Sequence, residues 1–390
     1  MKKTIIIAVA VALCATVSMA TSARKSALGD GAKYFLDDND VVPCPHVVLS
    51  YPDFANLELG SYAGPGSTPF GQWGLFNLAY GEDLAVGGAL GLTEGNAGML
   101  AGEIGITAPD PGINLWGAYN AGGMKLGLGV HSSGHKESMT DTTGAELIDK
   151  SGALSVKASF GTEVGGGVIG IPIWVTMNSA SSETTNADNE TAIMEATGGM
   201  EIGGCVRGFF PVYDELTVVP RVHFTSFSYG TKHSPVTGDP VESGDYSLMT
   251  LSLGCGANYE VGDDGVISVG AAFGMVNEKD ERDTSDVVEK SIMRLPEVTV
   301  AAEIPATDWL ILRGGVTKYF GTETTDSGGV ESVESYSEMG GAFVSAGCGV
   351  LLDDFTLDMT VSESHLFEGP YIVSGIADNI ALRLSVTYDW

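Results

Sequence analysis

His131 and His135, with Glu137 just beyond, come closest in this chain to a set of residues that could do chemistry. Side chains of a strand alternate between its faces, so these three share one side at the top of one strand. There, imidazole and carboxylate could hold a divalent metal or serve a rim-type hydrolase. A hydrolase also needs a nucleophile, and a Ser–His–acid set on strands draws its members from several strands, which spacing along the chain does not reveal. No HExxH, P-loop or GxSxG run is present, and each of those works through a fixed local spacing. Cys44, Cys205, Cys255 and Cys348 are scattered without a CxxC pair, which argues against a metal site. Three of them sit beside glycine in strand-like segments and read as small strand residues, with an oxidised pair left open. The expectation is no catalytic residue, no metal, no cofactor, and so no enzyme.

The surrounding chain has 390 residues, 19 Lys plus Arg against 50 Asp plus Glu, and a formal net charge of −31. Charge of that sign repels phosphate backbones, so nucleic acid is excluded as a partner. Aliphatic content is too high for a disordered acidic chain. Glycine, at 54 residues, is about twice the ordinary ~7% usage. Residues 1–20 read as a Sec-type signal peptide: Lys2 and Lys3, an apolar run from Thr4 to Val17, then Ser18, Met19 and Ala20 as a small-x-small exit. Cys14 is no lipobox cysteine, because Leu13 stands where a small residue is needed. Beyond the signal there is no uncharged apolar run of ~20 residues, the length of a spanning helix.

What recurs instead is alternation. Ile380, Leu382, Leu384, Val386, Tyr388 and Trp390 interleave with Ala381, Arg383, Ser385, Thr387 and Asp389. Leu154, Val156, Ala158 and Phe160 interleave with Ser155, Lys157 and Ser159, and Phe355, Leu357, Met359 and Val361 with Thr356, Asp358 and Thr360. This period of two predicts strands with one apolar and one polar face. Short turns fall at 161–166, 211–215, 262–265, 305–308 and 352–354. Long polar loops fall near 134–150, 179–195, 230–245, 278–290, 322–336 and 363–375. Before residue 134 the connections are short, near 81–83, 93–96, 109–112 and 121–123. Short turns on one side and long loops on the other predict a transmembrane antiparallel β-barrel of about sixteen strands (alternatives fourteen and eighteen) over residues 70–390. Both chain ends then lie on the short-turn side.

The end Leu382-x-Leu384-x-Val386-x-Tyr388-x-Trp390 resembles the C-terminal signature of Gram-negative outer-membrane barrels. With the signal peptide and the strand rhythm, the chain is similar to that class as a whole, at the level of porin-like barrels. The resemblance implies export to the cell outer membrane, surroundings of outer-membrane lipid and lipopolysaccharide, and recognition of those five residues by the barrel-assembly machinery. Trimerisation would match many diffusion porins; a lipid-facing wall and a subunit interface look alike in one sequence, so it stays open. The sequence departs from the class in placing glycine where strands usually carry bulk, as at Gly87, Gly127, Gly129, Gly165–Gly167 and Gly203–Gly204.

A closed barrel turns its apolar face to lipid. The other face lines the lumen, and its candidates are Lys125, Lys157, Glu201, Arg207, Arg221, His223, Glu260, Glu297, Glu303, Arg313, Asp358 and Arg383. About sixteen strands enclose more space than side chains fill, so water or a plug must occupy it. Water would make a porin-like channel for passive diffusion of small hydrophilic solutes. Acidic loops at 278–290 and 322–338 would make it cation-preferring. The segment 21–69, with Pro43, Pro45 and Pro52 and a short strand-like run from Asn56 to Tyr62, falls outside the barrel rhythm. It is either a periplasmic segment, an extra strand, or a lumen plug, as in fatty-acid-transporter-type barrels, whose usual Asn-Pro-Ala element this sequence lacks. The alternative functions are thus a plugged transporter of a less polar ligand and a non-conducting surface barrel.

Overall fold

The computed structural model describes residues 21–51, 53–62, 71–186, 188, 190–262, 264–282, 287–335, 342–361 and 382–390. The expected signal peptide and the 363–375 loop lie outside the described residues. Strand segments are, in chain order, β1 Phe54–Tyr62, β2 Trp73–Tyr80, β3 Leu84–Leu90, β4 Gly112–Ala121, β5 Met124–Thr140, β6 Glu146–Val164, β7 Gly167–Thr185, β8 Thr191–Tyr213 and β9 Leu216–Ser234. Then follow β10 Val241–Val261, β11 Gly265–Asp280, β12 Val288–Thr307, β13 Leu310–Ser327, β14 Val330–Ser335, β15 Ala342–Leu351, β16 Phe355–Val361 and β17 Leu382–Asp389. Two helices stand apart from them, α1 Ser22–Leu28 and α2 Ala97–Ile104.

All pairings are antiparallel between neighbours in sequence, except that β1 also pairs with β17 and β15 with β13. β14 and β15 both lie along β13 and are two halves of one strand. The wall is therefore a closed barrel of 16 strands. Closure happens at β1, where Leu57 faces Gly74 of β2 on one side and Val386 of β17 on the other. Closing the sheet pairs every strand and leaves no edge, the condition for backbone to cross hydrocarbon.

Burial in this wall is the inverse of a soluble protein's. On β5 and β6, Leu128 is 67% exposed while Lys157 is 7% exposed. The same alternation puts Leu115, Ile173, Leu253, Val300 and Leu312 outside and Asn114, Thr176, Ser268, Thr299 and Arg313 inside. A continuous apolar exterior around a polar interior is the architecture of a transmembrane barrel of the outer-membrane type.

Three expectations change. The wall begins at Phe54, not at residue 70: Phe54, Asn56 and Glu58 are buried inside while Leu57 and Leu59 are exposed, and without β1 the barrel has no closing strand. The stretch between the expected connections at 93–96 and 109–112 is the helix α2, not a strand. Its Ala, Met and Leu favour helix, and Gly105 stops it in the left-handed conformation with φ 78°. These two differences cancel, so the strand number comes out as expected. Finally, most of the long polar loops are strand. β8 runs 23 residues, against the ~9–11 that cross a bilayer, and β13 turns into β14 through Gly328 and Gly329 alone. Ser- and Thr-rich alternating sequence keeps pairing beyond the membrane because Thr suits strands in water as well.

Candidate functional site

The lumen is occupied by the chain's own N-terminal part, residues 21–51, which lies inside the wall that β1 completes. α1 opens it. The Thr21 hydroxyl accepts from the Arg24 amide at 2.9 Å and donates to Asp358 Oδ2 at 2.9 Å, so one residue caps the helix and ties it to β16. Gly29 ends α1 at φ 58°. Short 3-10 turns at Gly29–Tyr34, Asp38–Val41 and Pro45–Leu49 then coil the chain across the lumen.

Wall residues meet this segment at nearly every level. Glu303 accepts from Arg24 Nε at 2.6 Å and Nη2 at 2.9 Å, and from Arg313 Nε at 2.5 Å. Arg313 also pairs with Asp358. Glu297 pairs with Lys33 and Arg207 with Asp40. The Ser22 amide donates to Glu58 Oε1 at 2.6 Å, Arg383 donates to Ser26 at 3.0 Å, and Lys125 to the Ser50 hydroxyl at 2.9 Å. Burial works against the Arg24 charge, but Glu303 and Asp37 outweigh it and push its pKa up. Burial likewise opposes the Asp40 carboxylate, yet Lys25 and Arg207 hold its pKa below the usual range. Segment and wall thus satisfy one another's buried charges, as interior ions require.

The wall's glycines fit this occupant. A Cβ at Gly127 would strike the backbone of Pro45 and His46, one at Gly161 the His46 ring, one at Gly270 the Tyr34 ring, and one at Gly315 the Leu28 carbonyl. These glycines mark the footprint of the inserted segment, whereas others, such as Gly87 and Gly203, make room for the wall's own Trp116 and Trp174. That signal was available in the sequence but pointed to no partner by itself.

A second insertion comes from the opposite end. Residues 91–111 leave the wall between β3 and β4 and carry α2, whose Leu100 is buried against Ala180, Phe227, Tyr229 and Tyr246. Asn96 Nδ2 donates to Glu201 Oε2 at 2.7 Å, and Trp174 Nε1 to Glu201 Oε1 at 2.8 Å. Arg282 clamps the far end of α2, 2.6 Å from Glu103 and stacked over Tyr229 and Tyr246.

Between the N-terminal segment and β7–β9 lies a cavity of about 410 Å³, within the range of small-ligand sites. Leu36, Pro43, Val47, Val168, Pro172, Trp174 and Phe209 supply apolar wall, and Lys25, Lys33, Lys125, Arg207 and Arg221 supply positive charge. Asp40 is the one carboxylate among the described lining residues. Cys44 and Cys205 also face it, both as free thiols. Burial, with Asp40 nearby, raises the Cys44 pKa; burial, with the charges of Lys125 and Arg207, lowers that of His46 to about 4.

Of the twelve lumen candidates, Arg207, Arg221, His223 and Lys125 converge on the cavity. Glu303, Arg313, Asp358, Glu297 and Arg383 clasp residues 21–33 or each other, and Lys157 and Glu201 meet the second insertion. Glu260 stands apart, exposed beside the short 262–264 turn. His131 is buried, its Nε2 3.3 Å from the Ser133 hydroxyl, and His135 lies 3.8 Å from Glu137. These residues do not form a three-ligand group among the described residues. Some acids of the outer strand extensions carry bases, Lys279 with Glu281 and Glu289 and Lys290 with Glu323. Sequence reasoning missed Lys33, Asp40, His46 and Trp174, because nothing local marks residues that a distant segment will cover.

No family model matches the sequence, and no characterised protein matches it at the sequence level. Solved structures do resemble the fold. The Pseudomonas putida toluene transporter TodX is 10% identical over 96% of this chain and 98% of that one, with a TM-score of 0.41. The Ralstonia pickettii toluene transporter TbuX is 10% identical over 94% and 99%, with a TM-score of 0.41. A Pseudomonas aeruginosa FadL homologue is 11% identical over 96% and 99%, with a TM-score of 0.45. At such identities no single residue of those barrels is matched to one of this chain.

Proposed function

We propose that the chain is a gated outer-membrane passage for a small, less polar ligand bearing an acidic end, with residues 21–51 as its hatch. The observation that carries this reading is the cavity between hatch and wall, apolar on most sides and rich in cations. Lys125 bonds the Ser50 hydroxyl, and Arg221 sits beside the Cys205 thiol. Neither has a carboxylate within ion-pair distance among the described residues, so an anionic group can satisfy both. The expectation of an open, cation-preferring pore fits less well. Water would need a continuous path where two insertions cross the lumen. Lipid and lipopolysaccharide surround the wall in this reading, and the barrel-assembly machinery reads the terminal strand.

Two measurements test it. Refolded, heat-modifiable protein in a planar bilayer should show no sustained open-pore steps. Calorimetry with an arylalkyl carboxylate such as phenylbutyrate should show binding that weakens about tenfold in Arg221→Met, the share of one charge-assisted hydrogen bond, while the matching alcohol binds both proteins alike. Stable open-pore conductance from the full chain would instead make it a diffusion channel.

A further inference from the structure

The two insertions enter from opposite ends of the barrel, yet one side chain serves both. Lys157, on the wall strand β6, donates to the Val42 carbonyl of the N-terminal segment at 2.8 Å and pairs with Glu94 of the 91–111 excursion. The Lys157 and Glu94 side chains are 8% and 13% exposed; Lys157 holds Glu94 by Oε2, and the buried Oε1 has no hydrogen-bond partner among the described residues. An ammonium this deeply placed needs its partners, because a buried charge that loses one is left uncompensated.

We propose that Lys157 is a positioning residue that couples the two insertions, so that release of one loosens the other. With Glu94 in place, the ammonium is shielded from water and its bond to Val42 is strong. When the excursion withdraws, water reaches Lys157, competes for it, and reduces that bond to the worth of an exposed one. Coupling of this kind is reciprocal: whatever the excursion contributes to docking of the N-terminal segment, the segment contributes to docking of the excursion. A second bridge runs beside the first. Glu201 holds Asn96 at the start of α2 and Trp174 on the cavity wall, so the outer helix and the chamber beneath it share a carboxylate. An event at the outer mouth thus reaches the inner hatch through two neighbouring residues.

The inference rests on the reading of residues 21–51 as a hatch and adds that the 91–111 excursion can withdraw; its test needs no ligand, so it can fail while passage of a ligand stands. Cys44 is a native reporter: it lies on the N-terminal segment and is buried at 6% exposure. Its rate of modification by a maleimide, resolved from Cys205, Cys255 and Cys348 by peptide mass spectrometry, reads undocking of that segment. Glu94→Gln, which removes the charge partner on the excursion without touching the segment, should raise the Cys44 rate about fivefold or more, the lower end of ordinary coupling between sites. Lys157→Met should do the same and Lys157→Arg should restore the slow rate. Arg282→Met loosens α2 at its far end and contacts neither Lys157 nor the segment; it should also speed Cys44. An unchanged Cys44 rate in heat-modifiable Glu94→Gln and Arg282→Met protein overturns the coupling. Should Glu94→Gln not fold, Arg282→Met alone decides the matter.

Discussion

His46 shows how tightly single residues fix the inserted segment. Its Nδ1 lies 3.3 Å from Cys44 Sγ, and a Cβ on Gly161 or Gly170 would press on its ring. Burial, with Lys125 and Arg207 nearby, lowers its pKa to about 4, so the docked segment prefers a neutral ring. The undocked segment binds a proton already near the ordinary ~6.5. The contribution of His46 to docking is therefore fully present above pH 6.5 and is lost as pH falls towards 4, by roughly 3 kcal/mol at ~1.4 kcal/mol per pH unit. Cys44 labelling, divided by the rate of a free thiol at the same pH to cancel the falling thiolate fraction, should rise across that window, and His46→Gln should flatten the rise. Gly161→Val tests the footprint directly: the barrel should stay heat-modifiable while Cys44 becomes reactive at neutral pH. Gly161 read as the start of a short turn, although β6 runs on to Val164; only the inward parity of Gly170, between Ile169 and Ile171, was legible. Their partner was not, because Gly161 and His46 meet across more than a hundred residues and no local periodicity encodes such a contact.

At the scale of elements, strands were legible; of the two insertions, the N-terminal one was open as a lumen plug and α2 was missed. A strand of this barrel has the same two faces along its whole length, so a dozen residues reveal it. α2 does not: Ile104 and Ile106 alternate with glycine and threonine just as a strand would, and only Ala, Leu and Met before them favour helix. Its docking depends on one apolar anchor. Leu100, fully buried against Phe227, Tyr229 and Tyr246, should cost about 2–5 kcal/mol of docking when cut to alanine. The wall keeps all its ladder bonds in Leu100→Ala. The expected outcome is an unchanged thermal transition of the barrel together with bursts of brief openings in a planar bilayer. β17 offers the opposite case. Tyr388 stacks between Phe355 and Trp390 with ring centroids 5.7 and 5.4 Å away. Replacing Tyr388 and Trp390 by serine should reduce the amount of folded barrel recovered from outer membranes and leave the transport behaviour of the folded fraction as it was.

Over the whole molecule, the charge of −31 is unevenly distributed. Acids crowd the strand extensions above the membrane, while cations gather in the cavity beneath. Composition gave the sign of the total but carried no information on this separation, which arises only when β7–β9 and residues 25–50 are brought together. The seam has a consequence in time as well as in space. β1 pairs with β17, and the Trp390 amide donates to the Asp53 carbonyl at 3.2 Å, so the last-made residues close the wall onto nearly the first. Residues 21–51 lie inside that wall and are joined directly to β1. Their surroundings are complete only once the seam zips, because the wall that encloses them is closed by the pairing of β1 with β17. Contacts such as Thr21 with Asp358, 337 positions apart, belong to the slowest class of folding events. Pairing of β1 with β17 is thus the contact of longest sequence separation in the wall, and the one that completes the enclosure of residues 21–51.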